Sequence, residues 1–306
     1  MTEPGDAACF RSGFVAVVGR PNVGKSTLVN RLVGQKVAIV SDKPQTTRNR
    51  IRAVVNRPGG QIVLFDTPGI HKPMHRMNRR MVDTAVKSLG QVELVLWMVD
   101  VTEGYGPGDR HVKEVLHRSR KPVILGLNKI DRIPKPKILP IIDRYKNLLD
   151  FVEVIPLSAL KGDNVERLAE RLLAHLPEGE RLYPEDFLTD LPERFFVGEM
   201  VREKILRHTR EEIPYSTGVV LDSFKEAEGG LVRIEASIFV ERDSQKGILI
   251  GRGGSMLKTI GSEARKDIED FLGAKVFLGL FVKVRQGWRE DAGTLEAMGL
   301  GDKPGS

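Results

Sequence analysis

The sequence predicts an α/β domain, with a mostly parallel sheet and helices on both faces, followed by a smaller α+β domain. Three observations support this. Short apolar segments alternate with amphipathic stretches as far as Leu176, an order that implies a parallel sheet covered by helices. The texture then changes at Pro177–Pro192, which carries three prolines and a cluster of acids. Two glycine-rich loops, one in each half, each open a helical stretch.

In the first half, Phe14–Val18, Val92–Asp100, Val123–Leu127 and Val152–Leu157 read as buried strands. Ile51–Val55 and Ile62–Phe65 read as two successive strands, the first alternating. Helical patterns lie at Lys25–Val33, Met77–Leu89, Asp109–Arg118, Lys137–Leu149 and Val165–Leu176. Gln35–Asn49 has no strong periodicity, which in a compact domain marks a disordered connection or a functional loop. In the second half, Glu193–Arg210 reads as a helix and Val219–Phe224 and Val232–Val240 as antiparallel strands. Ser244–Ile250 and Ser255–Phe271 read as helices around a glycine break, and Val276–Val284 as a last strand. The expected organisation is a tail over 1–12, a first domain over 13–177, a linker over 178–192, a second domain over 193–290 and a glycine-rich, frayed tail over 291–306.

Composition narrows the function. A chain of 306 residues exceeds what one core usually supports, so two domains are expected. No apolar run approaches the roughly 20 residues that span a bilayer, and Met1–Ser12 lacks the basic-then-apolar order of a secretion signal. Cys9 is the only cysteine, which rules out an internal disulfide and suits a reducing cytosol. His71 and His75 can share a helix face, but no third ligand lies nearby to complete a zinc site. The formal charge of +7 suggests a polyanionic partner. Residues 1–180 carry a net +10 and residues 181–306 a net −3, yet 242–289 within the latter hold 10 basic and 5 acidic side chains. Local sign decides here, because charges are screened beyond about 8 Å at physiological salt.

The first glycine loop, Gly19-Arg20-Pro21-Asn22-Val23-Gly24-Lys25-Ser26, matches the P-loop pattern in full and stands between a strand and a helix that continues through Thr27. Its glycines let successive N–H groups wrap a phosphate chain, and the helix N-terminus adds a favourable dipole. Lys25 is expected to reach the β- and γ-phosphates, and the Ser26 hydroxyl to bind Mg2+. Asp66-Thr67-Pro68-Gly69 follows the next strand, where the carboxylate can hold the metal through water. Gly69 can offer its N–H to the γ-phosphate and rotate when that group leaves. Asn128-Lys129-Ile130-Asp131 supplies a carboxylate for the ring N–H and exocyclic amine of guanine, a donor pair that adenine lacks. Lys129 can lie along the base, Asn128 can tie this loop to the P-loop, and Ser158-Ala159-Leu160 can present an N–H to the guanine oxygen.

That order of segments resembles the Ras-like translation-factor class of GTPases. The resemblance makes Gln35–Asn49 the first switch loop and GTP and GDP the ligands. By further resemblance to bacterial GTPases with a Thr-Thr-Arg motif, Thr47 joins Ser26 and Asp66 at the metal, with Thr46 the alternative. Ile70 stands where many GTPases carry a water-orienting glutamine, so hydrolysis must be slow or assisted. In GTPases that this P-loop resembles, an asparagine at the position of Asn22 helps bind K+, which clamps charge between the β- and γ-phosphates. The expected catalytic set is therefore Lys25, Thr47, Gly69 and Asn22.

The second loop, Ile250-Gly251-Arg252-Gly253-Gly254-Ser255-Met256-Leu257, fits the I-G-x-x-G-x-x-L core of a KH domain. Its G-x-x-G turn lets a sugar–phosphate backbone approach closely, with Lys246, Arg252, Lys258 and Arg265 as its charges and Ile250 among its apolar neighbours. The α-β-β-α-α-β order is that of a type II KH domain and favours RNA.

With Gln45-Thr46-Thr47-Arg48, Tyr183-Pro184-Glu185-Asp186 and Ile213-Pro214-Tyr215 added, nearly the whole chain resembles the Era-type ribosome-assembly GTPases of the TrmE-Era-EngA-like group. This resemblance implies a monomer that binds small-subunit (16S) rRNA near its 3′ end, and no DNA. It also implies a role in processing and assembly of that subunit, in the cytoplasm with weak peripheral association with the inner membrane. Two alternatives remain open: a GTPase coupled to RNA modification, and a membrane-signalling GTPase whose second domain binds another partner.

Overall fold

Residues Arg11–Gly19 form strand β1, which is buried without a break from Val15 onward. β3 (Gly60–Asp66), β4 (Leu94–Asp100) and β5 (Val123–Asn128) are buried along their full length. Such strands read as continuous apolar runs because both faces of a parallel sheet are covered. With β2 (Ile51–Arg57) and β6 (Phe151–Pro156) they make one six-stranded sheet in the order β2-β3-β1-β4-β5-β6, with only β2 antiparallel. The structure, a computed structural model, describes residues 9–71, 75–227 and 229–300, so part of each expected tail lies outside the described residues.

Five helices cover this sheet: α1 (Lys25–Val33), α2 (Arg76–Leu89), α3 (Pro107–Ser119), α4 (Ile138–Tyr145) and α5 (Val165–Ala174). Ala16 and Val18 share a core with Ala85 and Leu89 of α2, Val112 and Leu116 of α3, and Tyr145 of α4. Alternation along a strand sends Val15 and Val17 to the other face, where α1 and α5 meet β1. β1 lies between β3 and β4, so the chain winds in opposite senses on its two sides. That reversal opens a crevice at the carboxyl ends of the strands.

The chain divides into two compact units: Met1–Ala38, Thr47–Lys72 and Met81–Asp190 form the first, and Ile39–Thr46, Pro73–Arg80 and Leu191–Ser306 the second. The second holds α6 (Glu193–His208), α7 (Ile213–Ser216), β7 (Gly218–Glu226), β8 (Val232–Val240), α8 (Asp243–Ile250), α9 (Ser255–Leu272), β9 (Val276–Val284) and α10 (Ala292–Ala297). β7 pairs antiparallel with β8, and β8 parallel with β9. Val201 and Ile205 of α6, Leu249 of α8 and Ile260, Ala264 and Ile268 of α9 pack on Ile234, Ile238 and Val282 of that sheet. Among the described residues no helix is long and apolar enough to cross a membrane.

Two expectations need correction. As far as Leu300, where the described residues end, the stretch after Gly293 is not frayed: Asp291 caps α10 through the Thr294 N–H (2.7 Å) and hydroxyl (2.6 Å), and Leu295 and Leu300 are buried. Its glycines suggested disorder, but two leucines at this spacing bury enough apolar surface to fix it. The stretch read as a linker is tied to the first unit as far as Asp190. Leu188 accepts from the Val54 N–H (2.9 Å) and Thr189 bridges Ala53, so the strap covers the free edge of β2. Gln61, fully buried, holds the strap's middle. Its oxygen accepts from the N–H groups of Leu182 (3.0 Å) and Tyr183 (2.9 Å), and its nitrogen donates to the Tyr183 carbonyl (2.9 Å) and Asn56 Oδ1 (2.8 Å).

Replacing Gln61 by leucine keeps the volume but leaves those main-chain groups without partners. Gln61→Leu is expected to destabilise the protein by about 2–4 kcal/mol. Urea unfolding of the nucleotide-free protein measures it, and an unchanged midpoint would show the strap to be dispensable.

Candidate functional site

The four motif segments meet at the carboxyl ends of β1, β3, β5 and β6. Register brings them level: Val17 pairs with Asp66, Gly19 with Met98, and Asp100 with Asn128. Gly19 must be glycine, since a Cβ there would lie 2.4 Å from the Met98 carbonyl oxygen. Asn22 and Gly24 both take positive φ, 63° and 97°, and turn the loop into the first turn of α1, where Thr27 is half-buried. The Arg20 side chain points away, to Glu103 (2.6 Å) and the buried Asp109 (3.1 Å) beside α3, so only its main chain serves the loop. Pro21 lies against Gly69, where an added Cβ would meet the Pro21 nitrogen at 2.6 Å.

Asn128 joins three of these loops. Its amide nitrogen donates to the Val23 carbonyl (2.7 Å), and its oxygen accepts from the Ala159 N–H (2.8 Å). The Ala159 N–H expected at the guanine oxygen is here bonded within the protein. Lys129, at φ 71°, sends its ammonium to the Asn22 carbonyl (2.9 Å) and to Asp100. Burial opposes charge on Asp100, but Lys129 and Thr102 hold its carboxyl below the usual range. Asp131 is exposed, and the Ser158 hydroxyl, itself buried, donates to it at 2.6 Å. The carbonyls of Ala159 and Leu160 accept from Arg31, while the Leu160 side chain stands in solvent.

The oxygen-rich cluster lies between the P-loop and β3. Ser26 Oγ donates to Asp66 Oδ2 (2.6 Å) and lies 2.7 Å from Thr47 Oγ1, which reaches the same carboxylate at 3.4 Å. Thr46 does not join them: its hydroxyl donates to the Lys43 carbonyl (2.6 Å). Asp66 is fully buried, and its Oδ1 has no partner among the described residues. An orphaned carboxylate oxygen beside two hydroxyls is a donor set suited to a hard cation such as Mg2+. Burial pushes the Asp66 carboxyl up to about 6, against the opposing pull of Ser26, Lys25 and Thr47. Burial likewise lowers Lys25 to about 8, and its ammonium donates to the Arg20 (2.9 Å) and Gly19 (3.3 Å) carbonyls.

Thr67 anchors the start of the second switch by donating to the Val17 carbonyl (2.8 Å). Pro68 and Gly69 follow, and the Ile70 N–H bonds the Gly19 carbonyl (3.0 Å). The Ile70 side chain is fully buried in the core with Phe65 and Val112, so it faces away from any attacking water. Residues that the sequence reading missed support these loops. Asn30 accepts from Val37 and Ala38 (both 2.9 Å) and donates to the Ala38 carbonyl (2.8 Å), fixing the start of the first switch. Asp100 holds Lys129, and His71 sits 2.8 Å from the Gly69 carbonyl. None carries a motif: Asn30 and His71 act on main-chain groups only a few residues away, and Asp100 meets Lys129 through the register of β4 and β5.

In the second unit, the G-x-x-G turn joins α8 to α9. Gly251 has φ 72° and a Cβ there would lie 2.7 Å from that of Met256. Gly253 (φ 59°) and Gly254 (φ 80°) face open space. Arg252, Lys258 and Arg265 are exposed and Lys246 is half-buried; Lys258 and Arg265 stand two turns apart on one face of α9. Ile250 and Leu257 pack against the core, while Ile248 is half exposed.

Comparison with known proteins matches both units. The family described as 50S ribosome-binding GTPase matches residues 14–129, and the KH domain family matches 212–289. GTPase Era of Geobacter metallireducens is 52% identical across 95% of this chain and 98% of its own length. That of Heliobacterium modesticaldum is 49% identical across 96% and 98%. Two solved structures each align with TM-score 0.92 and 42% identity over 95% of this chain. One is Era in complex with MgGDPNP and nucleotides 1506–1542 of 16S ribosomal RNA, covered over 99% of its length. The other is a variant of Aquifex aeolicus Era bound to GDP.AlF4-, covered over 100%.

A buried carboxyl raised from 3.8 to about 6 favours the folded protein only while protonated. That stability is fully present below about pH 4 and lost as pH rises through about 6. Asp66→Asn is therefore expected to stabilise the nucleotide- and metal-free protein at pH 7.5 by up to about 3 kcal/mol, with no gain at pH 4, and to abolish Mg2+-dependent GTP hydrolysis. Thermal unfolding in EDTA at both pH values reads the first effect; a variant less stable at pH 7.5 would contradict it.

Proposed function

The chain belongs to the Era family of GTPases, and from that premise we propose that it couples GTP hydrolysis to binding of 16S rRNA near its 3′ end, in processing and assembly of the small ribosomal subunit. The observation that carries this reading is one chain holding both a P-loop joined by Asn128 to a loop that presents the Asp131 carboxylate, and an open, basic G-x-x-G turn. A relative aligned over 99% of its length holds a magnesium–nucleotide complex and 16S RNA together.

GTP and GDP bind along the Gly19–Ser26 loop, with Lys25 directed at the phosphates and Asp131 at guanine. Ser26, Thr47 and Asp66 would hold Mg2+, which when bound neutralises charge on the β- and γ-phosphates. The exposed Asp131 carboxylate accepts from guanine while Ser158 keeps it oriented. Gly69 offers its N–H to the γ-phosphate, and its contact with Pro21 ties that offer to the P-loop. With Ile70 buried in the core, the position directly after Gly69 supplies no group to orient water, so intrinsic hydrolysis is slow. Asn22, held in a left-handed turn, supports K+ as an additional charge clamp. Hydrolysis is expected to run several-fold faster in potassium than in sodium, and equal rates would remove this part of the reading.

RNA is received at Gly251–Gly254, with Lys246, Arg252, Lys258 and Arg265 on phosphates and Ile250 near the groove floor. A ribosomal RNA partner places this work in the cytoplasm. Weak peripheral contact with the inner membrane, which co-sedimentation with anionic vesicles tests, belongs to the same reading.

A Cβ at Gly253 meets nothing within 4 Å, so Gly253→Asp creates no clash; its cost is the φ of 59°, which Asp tolerates better than most residues. The substitution puts a negative charge beside the turn read as the RNA contact, with thermal unfolding of the variant as the control for the fold. Affinity for a fragment from the 3′ end of 16S rRNA should depend on whether GDP or a non-hydrolysable GTP analogue is bound. It should fall at least about tenfold in the variant. Binding that ignores both nucleotide and substitution would favour a different partner for the second unit, as the RNA-modification and membrane-signalling alternatives require.

A further inference from the structure

The second unit contains Ile39–Thr46, the segment that runs up to Thr47. Within that unit α6 presents Glu199, Arg202 and Glu203, three positions of one helix face. Arg202 is 2% exposed. A guanidinium cannot shed its charge, so burying one requires that its N–H groups be paired. Glu199 takes two of them, at 2.7 Å from Nε and 2.5 Å from Nη2. The remaining contacts go to main-chain carbonyls: Nη2 donates to Thr46, and Nη1 makes a longer contact with Gln45 (3.5 Å). One residue along, Glu203 accepts from the Val40 N–H at 3.0 Å.

The gripped backbone is not one that the loop would choose alone. Gln45 has φ 62°, a conformation that costs a non-glycine residue free energy and persists only where its surroundings hold it. The Thr46 carbonyl belongs to the same planar peptide as the Thr47 nitrogen. Fixing that carbonyl therefore fixes the direction in which Thr47 leaves the loop, and the Thr47 hydroxyl arrives beside Ser26 and Asp66. Thr46 turns its own hydroxyl back to Lys43, which is why the second threonine of the pair, and not the first, reaches the oxygen cluster.

We propose that Arg202, oriented by Glu199, is a positioning residue for GTP hydrolysis: it holds the main chain of the first switch loop so that Thr47 stands in the metal-binding cluster. The inference rests on the reading of Ser26, Thr47 and Asp66 as the Mg2+ site. An Arg in mid-helix with a Glu three residues before it otherwise reads as an ordinary surface ion pair.

The test uses the full chain, with Arg202→Ala, Arg202→Gln and Arg202→Lys beside Thr47→Ala. In Arg202→Ala and Arg202→Gln, kcat is expected to fall about 10- to 100-fold, the scale of a misplaced reacting group, while GDP affinity stays within about twofold. Affinity for a non-hydrolysable GTP analogue should lose much of its dependence on Mg2+ against EDTA. In the nucleotide- and metal-free protein, amide exchange across residues 40–47 should accelerate, with exchange in the core strands unchanged. Lysine keeps the charge but cannot fork between Glu199 and two carbonyls, so Arg202→Lys should fall between wild type and alanine; it carries the test if the alanine chain does not fold. Wild-type kcat and exchange in the Arg202 variants, with Thr47→Ala impaired, would overturn the proposal and leave the metal site standing. Equal losses of GDP and GTP-analogue affinity with faster exchange throughout the core would overturn it too, since that is general destabilisation. If Thr47→Ala hydrolyses GTP as wild type does, the metal-site reading itself fails.

Discussion

The carboxamide of Asn128 is the contact on which the nucleotide unit's other loops depend. A side-chain amide has one donor end and one acceptor end, and here each is spent on the main chain of a different loop, at Val23 and at Ala159. The arrangement requires that residue 24 have no side chain, because a Cβ on Gly24 would lie 2.3 Å from the Asn128 nitrogen. Gly24 is thus constrained twice, by its φ of 97° and by this close approach. Lys129 continues the same joint from the next position by reaching the Asn22 carbonyl. The loops read as the base and phosphate contacts are therefore joined through shared hydrogen bonds and do not stand independently.

Around that joint, the structure keeps charge where burial disfavours it. Asp66 and Lys25 are both buried, and burial moves their carboxyl and ammonium toward neutrality, to about 6 and about 8. Neither shift serves the empty fold, and both groups stand where a phosphate chain and its cation would supply the missing charge. Asp100 shows the contrasting case. It is also buried, but Lys129 and Thr102 satisfy it internally and hold its carboxyl below the usual range. The distinction between a structural and a ligand-directed carboxylate lies in whether the protein itself supplies the partner.

The sequence made the fold legible because its strongest signals are local. Fully buried strands appear as unbroken apolar runs, and the P-loop and G-x-x-G glycines mark turns whose positive φ values few other residues tolerate. What escaped is what depends on residues far apart in the chain. Pro177–Pro192 looks like a linker because prolines and acids suppress periodicity, yet its polar main chain is satisfied by Gln61, more than a hundred residues earlier. Arg202 looks like any helix-surface charge until Gln45 and Thr46 are placed beside it. The choice between Thr46 and Thr47 could be narrowed only by analogy, since two adjacent threonines have the same composition and the backbone alone decides which one turns inward.

The two glycine loops solve one physical problem in two ways, and the difference follows from the size of the ligand. Both precede a helix through a left-handed glycine, Gly24 before α1 and Gly254 before α9. In the nucleotide unit the lysine beside the loop is buried and the loop is pinned by Asn128, so a single phosphate chain of fixed length is enclosed. In the second unit Arg252 is exposed and a Cβ at Gly253 or Gly254 would meet no neighbour. A polymer must pass through its site without ending there, and an open turn with exposed charges on its rim permits that. Enclosure suits a ligand that is cleaved and released, openness one that is held along its length. The same left-handed glycine can serve either, because what surrounds it sets how far the ligand is enclosed.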